Sequence, residues 1–221
     1  MIRRVIDILK YAFKDYKLQC EAKRLYYTDS QFSRIDRALL RPYFFSNPYR
    51  IHKKYIQKKQ GKNIHTYGET PLSSYEHIAK EADINADDVF LELGFGRGRG
   101  MFFLHHFFRC EVIGIERVPF FVQFAQYIAH QYSLKRVSFI CSDITDIQLP
   151  KASVIYLCGT CFRDEEIQYI ASMLRTFQHG TRVISISYPL TEYDDDAFDM
   201  QKIFPVKFLW GEADAYLQVV Q

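Results

Sequence analysis

The sequence predicts an α/β fold: a sandwich on a mostly parallel sheet with an antiparallel edge, preceded by a basic helical extension. Three observations carry this. From residue 66 onward, short apolar runs alternate with stretches of helical periodicity. A glycine-rich turn stands between the first such run and its helix. The last two runs, about 203–209 and 215–220, are joined only by 210–214 and so form an adjacent antiparallel pair.

The chain divides at about residue 65. In the extension, residues 1–65, the apolar side chains Ile2, Val5, Ile6, Leu9, Phe13 and Tyr16 recur at helical spacing. Arg3, Arg4, Lys10, Lys14 and Lys17 lie between them, which predicts an amphipathic helix over 1–17. Such a stripe packs on its own domain or lies on a membrane surface. Residues 33–40 read as a second helix. Pro42 and Pro48 punctuate an aromatic loop, Tyr43-Phe44-Phe45, and the basic stretch 49–62 reads as a third helix. In the body, residues 66–221, a helix over 71–82 leads to a strand at 89–93, the glycine turn and a helix over 97–108. A strand at 112–115 follows. Pro119 then opens a helix at a position where its missing N–H is tolerated. Strands 137–141 and 154–157, a helix over 164–177 and a strand at 183–187 complete the alternation.

Composition bounds the function. With 48% apolar and 25% charged residues in 221, the chain is globular rather than disordered. No stretch approaches 18 uninterrupted apolar residues, so no integral membrane segment is expected. Asp7 and Lys10 interrupt the first apolar run, so it does not read as a signal peptide. Five cysteines, few and odd in number, point to a reducing compartment and a cytoplasmic location. The net charge of +3 conceals an asymmetry: residues 1–65 hold 16 Lys+Arg against 5 Asp+Glu, and the body is correspondingly acidic. The extension either meets an anionic partner (nucleic acid, membrane or acidic protein) or folds back onto the body.

The chemistry concentrates in Val89-Phe-Leu-Glu-Leu-Gly-Phe-Gly-Arg-Gly-Arg-Gly100. Gly94, Gly96 and Gly98 allow positive φ and a close backbone approach to a ligand at the carboxyl end of the first strand. The dinucleotide fingerprint G-x-G-x-x-G fails in both registers, at Arg99 and at Met101. G-x-G-x-G after the acidic strand end Glu92 fits an S-adenosylmethionine site better. Glu116 ends the second strand, where an acid accepts hydrogen bonds from ribose hydroxyls. Asp143 follows the third strand, at the expected adenine edge.

Thr66-Tyr67-Gly68-Glu69-Thr70-Pro71, the run from Glu92 to Gly98, Gly114-x-Glu116-Arg117 and Asp143 together resemble a known family. It is that of the disruptor-of-telomeric-silencing (Dot-one-type) histone lysine methyltransferases. The resemblance covers residues 66–221. It implies a class I methyltransferase (Rossmann-like) seven-stranded sheet and S-adenosyl-L-methionine as cofactor. It further implies that Tyr67, Glu69, Thr70, Glu92, Gly94, Gly96, Gly98, Arg99, Glu116, Arg117, Asp143, Ile144 and Cys158 hold the cofactor. Tyr67, Thr70, Phe162 and Tyr216 would then form the methyl-transfer site, with Tyr188 as a further wall. One stretch departs from the family. Its Asn-Asn-Phe-x-Phe is here Cys158-Gly159-Thr160-Cys161-Phe162, and its glutamine after the glycine loop is Arg99.

The resemblance implies methyl transfer to a protein lysine. The altered stretch keeps open a small-molecule or nucleic-acid acceptor, and a catalytically inactive binding module is the third alternative. Lysine must lose its proton to attack, which a poorly solvated aromatic channel favours. His105 and His106 read as structural. Cys158-x-x-Cys161 reads as small residues beside the cofactor, as a redox pair or as half a zinc site. Asp194-Asp195-Asp196 reads as a solvated loop rather than a Mg²⁺ site, so no metal is expected.

Overall fold

A computed structural model describes residues 2–60, 67–159 and 162–221, with all of their side chains except those of 2–11 and 59–60. The extension forms α1 (Ile2–Tyr26), α2 (Ser30–Leu40) and α3 (Pro48–Gln60). The body adds α4 (Leu72–Glu81), β1 (Val89–Leu93), α5 (Arg99–Phe108), β2 (Glu111–Glu116), α6 (Pro119–Gln131), β3 (Val137–Cys141) and β4 (Val154–Leu157). It closes with α7 (Asp164–Leu174), β5 (Arg182–Ile186), β6 (Phe198–Phe208) and β7 (Gly211–Val220). The seven strands lie in the order β3-β2-β1-β4-β5-β7-β6. The first five are parallel, and β7 runs antiparallel between β5 and β6. Chain order reverses between β1 and β4, which opens a crevice at their carboxyl ends.

Both sheet faces are covered. On one, Phe90, Val112, Val154 and Ile184 pack beneath Ile78, Met101, Phe102 and Val122 of α4, α5 and α6. On the other, Leu91, Ile115, Ile155 and Val183 meet Ile167, Ile170 and Leu174 of α7. The central strands are therefore buried on both sides, as their continuous apolar runs predict.

Several boundaries move. The first helix extends to Tyr26, because no glycine or proline interrupts it; Asp29 then caps α2 by accepting from Phe32 N–H at 2.8 Å. Gly98 takes positive φ, so α5 starts at Arg99 rather than 97. β6 begins five residues before the predicted strand: Asp199, Gln201 and Lys202 are exposed on an edge strand, which hides it from an apolar pattern. The third predicted helix is seen as far as Gln60; its last two residues lie outside the described residues.

The extension packs on the body. The Tyr26 ring meets Phe103 edge-on at 4.8 Å, and Phe32 meets Phe107 at 5.0 Å. His106, read as structural, pairs with Asp29 at 3.0 Å. His105 bonds the Cys110 carbonyl at 3.1 Å.

Candidate functional site

β1, in the middle of the sheet, carries Glu92 near its carboxyl end, and the backbone then turns through three glycines of positive φ. At Gly96 the space above Cα belongs to Tyr67: an added Cβ would lie 2.9 Å from its hydroxyl oxygen. At Gly94 nothing lies within 4 Å of such a position, so the backbone there faces open space.

Two adjoining recesses meet at Gly68, Gly94 and Cys158. The larger is walled by Tyr67, His52, Ile115, Glu116, Arg117, Asp143, Ile144 and Phe162. The smaller is walled by Glu69, Thr70, Tyr75, Glu92, Gly96, Arg97 and Arg99.

Glu116 is buried at the end of β2. Its Oε2 accepts Gly96 N–H at 3.0 Å and its Oε1 accepts Val118 N–H at 2.9 Å. Burial raises its pKa, opposed by these amides and by Arg117. Each carboxylate oxygen retains a lone pair for a further donor. Glu92 is different. Its Oε1 accepts the Tyr75 hydroxyl at 2.5 Å, while its buried Oε2 has no hydrogen-bond partner among the described residues. Burial pushes its pKa up to about 8; the Tyr75 bond works against this and the Glu116 charge adds to it.

The Tyr67–Thr70 segment is tied to the glycine loop. Glu69 accepts both Arg97 Nε and Nη2 and the Tyr67 hydroxyl. Burial alone would raise the Glu69 pKa, but the Arg97 charge and these hydrogen bonds hold it below the usual carboxylate range. Thr70 Oγ1 lies 2.7 Å from the Tyr156 hydroxyl. Arg97 also sits over the Tyr43 ring at 4.8 Å.

Most predicted site residues therefore line these two recesses; Arg99 does so with its charge turned away, and Gly98, Tyr188 and Tyr216 line neither. Arg99 touches the smaller recess, but its guanidinium turns to the extension: Nε and Nη2 donate to Asp36 at 2.8 and 2.7 Å, and Nη1 donates to Gln19 at 2.8 Å. A buried cation takes the nearest buried carboxylate, and Asp36 is 1% exposed. Gly98 faces the core, where a Cβ would meet Phe139, Phe95 and Ala125. Tyr216 lies on β7 opposite Ser185 and Ile203 and lines neither recess.

Sequence reasoning missed Arg97, Tyr75, Tyr156, His52 and Asp36. Arg97 was visible inside the glycine loop; the others are brought in by packing and carry no local signal. In the stretch that departs from the family, Cys158 is half-buried and lines both recesses, and Cys161 lies outside the described residues. Gly159 lies under Tyr188, whose hydroxyl oxygen would be 1.9 Å from an added Cβ. Asp194 is engaged by Arg175 at 2.7 Å. Among the described residues no cluster of His, Cys, Asp and Glu could hold a metal ion, and no helix is long and apolar enough to cross a membrane.

Residues 51–203 match the family model of the histone methylation protein DOT1. The chain belongs to that family and has the fold of S-adenosylmethionine-dependent methyltransferases. Among solved structures it is similar to an RNA methyltransferase from Salinibacter ruber in complex with S-adenosyl-L-homocysteine, at 21% identity and a TM-score of 0.56 over 69% of this chain and 93% of that one. A methyltransferase from Pyrococcus furiosus is 16% identical, with a TM-score of 0.53 over 80% and 98%. A mutant of MtNAS in complex with S-adenosylmethionine is 13% identical, with a TM-score of 0.54 over 86% and 97%. A comparison with curated proteins finds no match.

Proposed function

We propose that this protein binds S-adenosyl-L-methionine and transfers its methyl group to a lysine side chain of a protein. The observation that carries the cofactor is the pair of buried carboxylates flanking the glycine loop. Glu92 Oε2 is a buried acceptor with no partner among the described residues, which suits the ammonium of an amino-acid tail. Glu116 has unused lone pairs toward the cleft, which suits two ribose hydroxyls. Asp143, itself engaged by Thr145 and by Arg117 at 3.8 Å, and Ile144 border the place for the adenine.

When bound, the cofactor supplies a methyl group on a sulfonium. The chain's part is alignment and exclusion of water. Tyr67 and Phe162 wall the cleft; Thr70, fixed by Tyr156, holds the Tyr67–Thr70 segment against the loop. The aromatic surroundings favour the neutral amine of an incoming lysine. Family membership supports the lysine acceptor. A second reading, a small-molecule or nucleic-acid acceptor, is favoured by one observation: Cys158 and Gly159 stand where the family has two asparagines, and Tyr188 fills the space over Gly159. We assign the body, residues 66–221, to the cofactor and residues 1–65 to bracing it. We assign the protein to the cytoplasm, since its five cysteines are few and odd in number.

Calorimetric titration with S-adenosylmethionine and S-adenosylhomocysteine tests the cofactor. Glu116→Ala should weaken binding roughly 10- to 100-fold, as expected for charge-assisted bonds. No saturable binding by the parent protein would overturn the reading. Transfer of labelled methyl to protein, followed by hydrolysis, should yield methyllysine; label in RNA or small molecules instead would select the second reading.

A further inference from the structure

The surface beside the cleft carries cations and bare rings. Between Asp36 and Glu69 the chain has eight Lys+Arg and no acidic residue, and none occurs between Glu116 and Asp143. Tyr43 of the first segment packs on the second, its ring 6.1 Å from both Phe120 and Phe124. Arg41, Arg50, Lys53, Lys54 and Lys58 of the first segment are exposed. Between them stand Phe44 and Phe45, 83% and 95% exposed, with no ring or cation partner among the described residues. The rings on α6 are different: Phe120 and Tyr127 are exposed and Phe124 half-buried, and the three lie nearly parallel with centroids 6.5 and 5.9 Å apart.

We propose that this face docks peripherally on an anionic lipid bilayer, with Phe44 and Phe45 entering the boundary between headgroups and acyl chains. The charge is complementary: cations flank both rings, and anionic headgroups attract them. The two rings project at the tip of a short 3-10 turn and offer no hydrogen-bonding group, which suits insertion into hydrocarbon. A single-stranded nucleic acid would need ring faces set as a platform, and among the described residues Phe44 and Phe45 form no paired or stacked arrangement with each other or with the α6 rings. α3 presents its exposed lysines on one side and His52 to the cleft on the other, so docking sets this helix between the membrane and the cleft wall. The docking is independent of the methyl-transfer reading.

The test is co-sedimentation of the full chain with phosphatidylcholine vesicles, with and without phosphatidylserine. The protein should pellet only with phosphatidylserine present and be released by salt. Lys53→Ala and Lys54→Ala should each lower affinity about fivefold. Phe44→Ser/Phe45→Ser should lower it about tenfold or more while leaving thermal unfolding unchanged, since neither ring packs on the fold. Failure of the parent to pellet with anionic vesicles at low salt would overturn the proposal. So would a Phe44→Ser/Phe45→Ser protein that pellets like the parent. A single-stranded oligonucleotide that strips the protein from vesicles, and whose binding needs both phenylalanines, would assign the face to nucleic acid instead.

Discussion

Arg97 and Arg99 leave the same glycine loop two residues apart, yet they fasten it to opposite regions of the molecule. Arg99 reaches back to Asp36 of α2, a carboxylate sealed at 1% exposure, and to Gln19 of α1. Arg97 reaches forward to Glu69, whose side chain is 28% exposed at the rim of the cleft. The first pair is scaffold. The second joins the loop to the segment that closes over it. A third carboxylate facing the loop, Glu92, has no cation partner among the described residues. The difference teaches that local sequence does not divide structural from functional charges. The divider is whether the carboxylate that meets the arginine lies in the core or at the cleft.

The comparison breaks most readily at Asp36. Asp36→Ala leaves Arg99 buried and unpaired and should destabilise the fold by about 3–5 kcal/mol. Replacing both partners, Asp36→Asn with Arg99→Gln, should recover most of that loss. Urea unfolding measures both, and a loss under about 1 kcal/mol for Asp36→Ala would deny the pair its scaffold role.

Glu92 sharpens the contrast through pH. Its pKa is raised on folding from 4.5 to about 8, so the native state holds an extra proton between these values. The stability this gives is complete below the unfolded pKa and is lost as pH rises through about 8. Glu92→Gln cannot ionise. The variant's melting temperature relative to the parent should therefore rise from pH 4.5 to about 8, by roughly 2–4 °C per kcal/mol relieved, and level off above. A difference independent of pH would mean that Glu92 is not the buried acid described.

Glu69→Gln should have a smaller effect on stability, about 1 kcal/mol, and a larger one on cofactor affinity, about tenfold. Because the Glu69 pKa is lowered on folding, its contribution is present above the unfolded value and lost as pH falls through the folded one. Parent and variant should converge in acid, as thermal unfolding would show. The smallest change belongs to Phe44 and Phe45, where serine should alter stability by less than about 0.5 kcal/mol.

The fold was largely legible because its signals are local. The apolar runs of β1 to β5, the glycine turn and Pro119 at the start of α6 each act within a few residues. Even there, polar Asp199, Gln201 and Lys202 hid the first half of β6, since an edge strand needs only one buried face. Glu92, Glu116, Tyr67 and Asp143 were legible at the site because each sits at a strand end or in a recognisable loop. Tyr75, Tyr156 and His52 were not: an aromatic or histidine on a helix or strand reads as core until its neighbours are known.

By itself, then, the sequence determined the alternation of elements, the sheet's antiparallel edge and the acids placed at the carboxyl ends of the strands, because backbone propensity and side-chain period act locally. Only the tertiary structure decided where the long charged side chains reach. It turned Arg99 toward the extension, left Glu92 Oε2 without a partner among the described residues, took Tyr216 away from the cleft and set Tyr188 over Gly159. Those outcomes depend on which groups share a desolvated space, and residues far apart in the chain enter that space only when the sheet and its helices assemble.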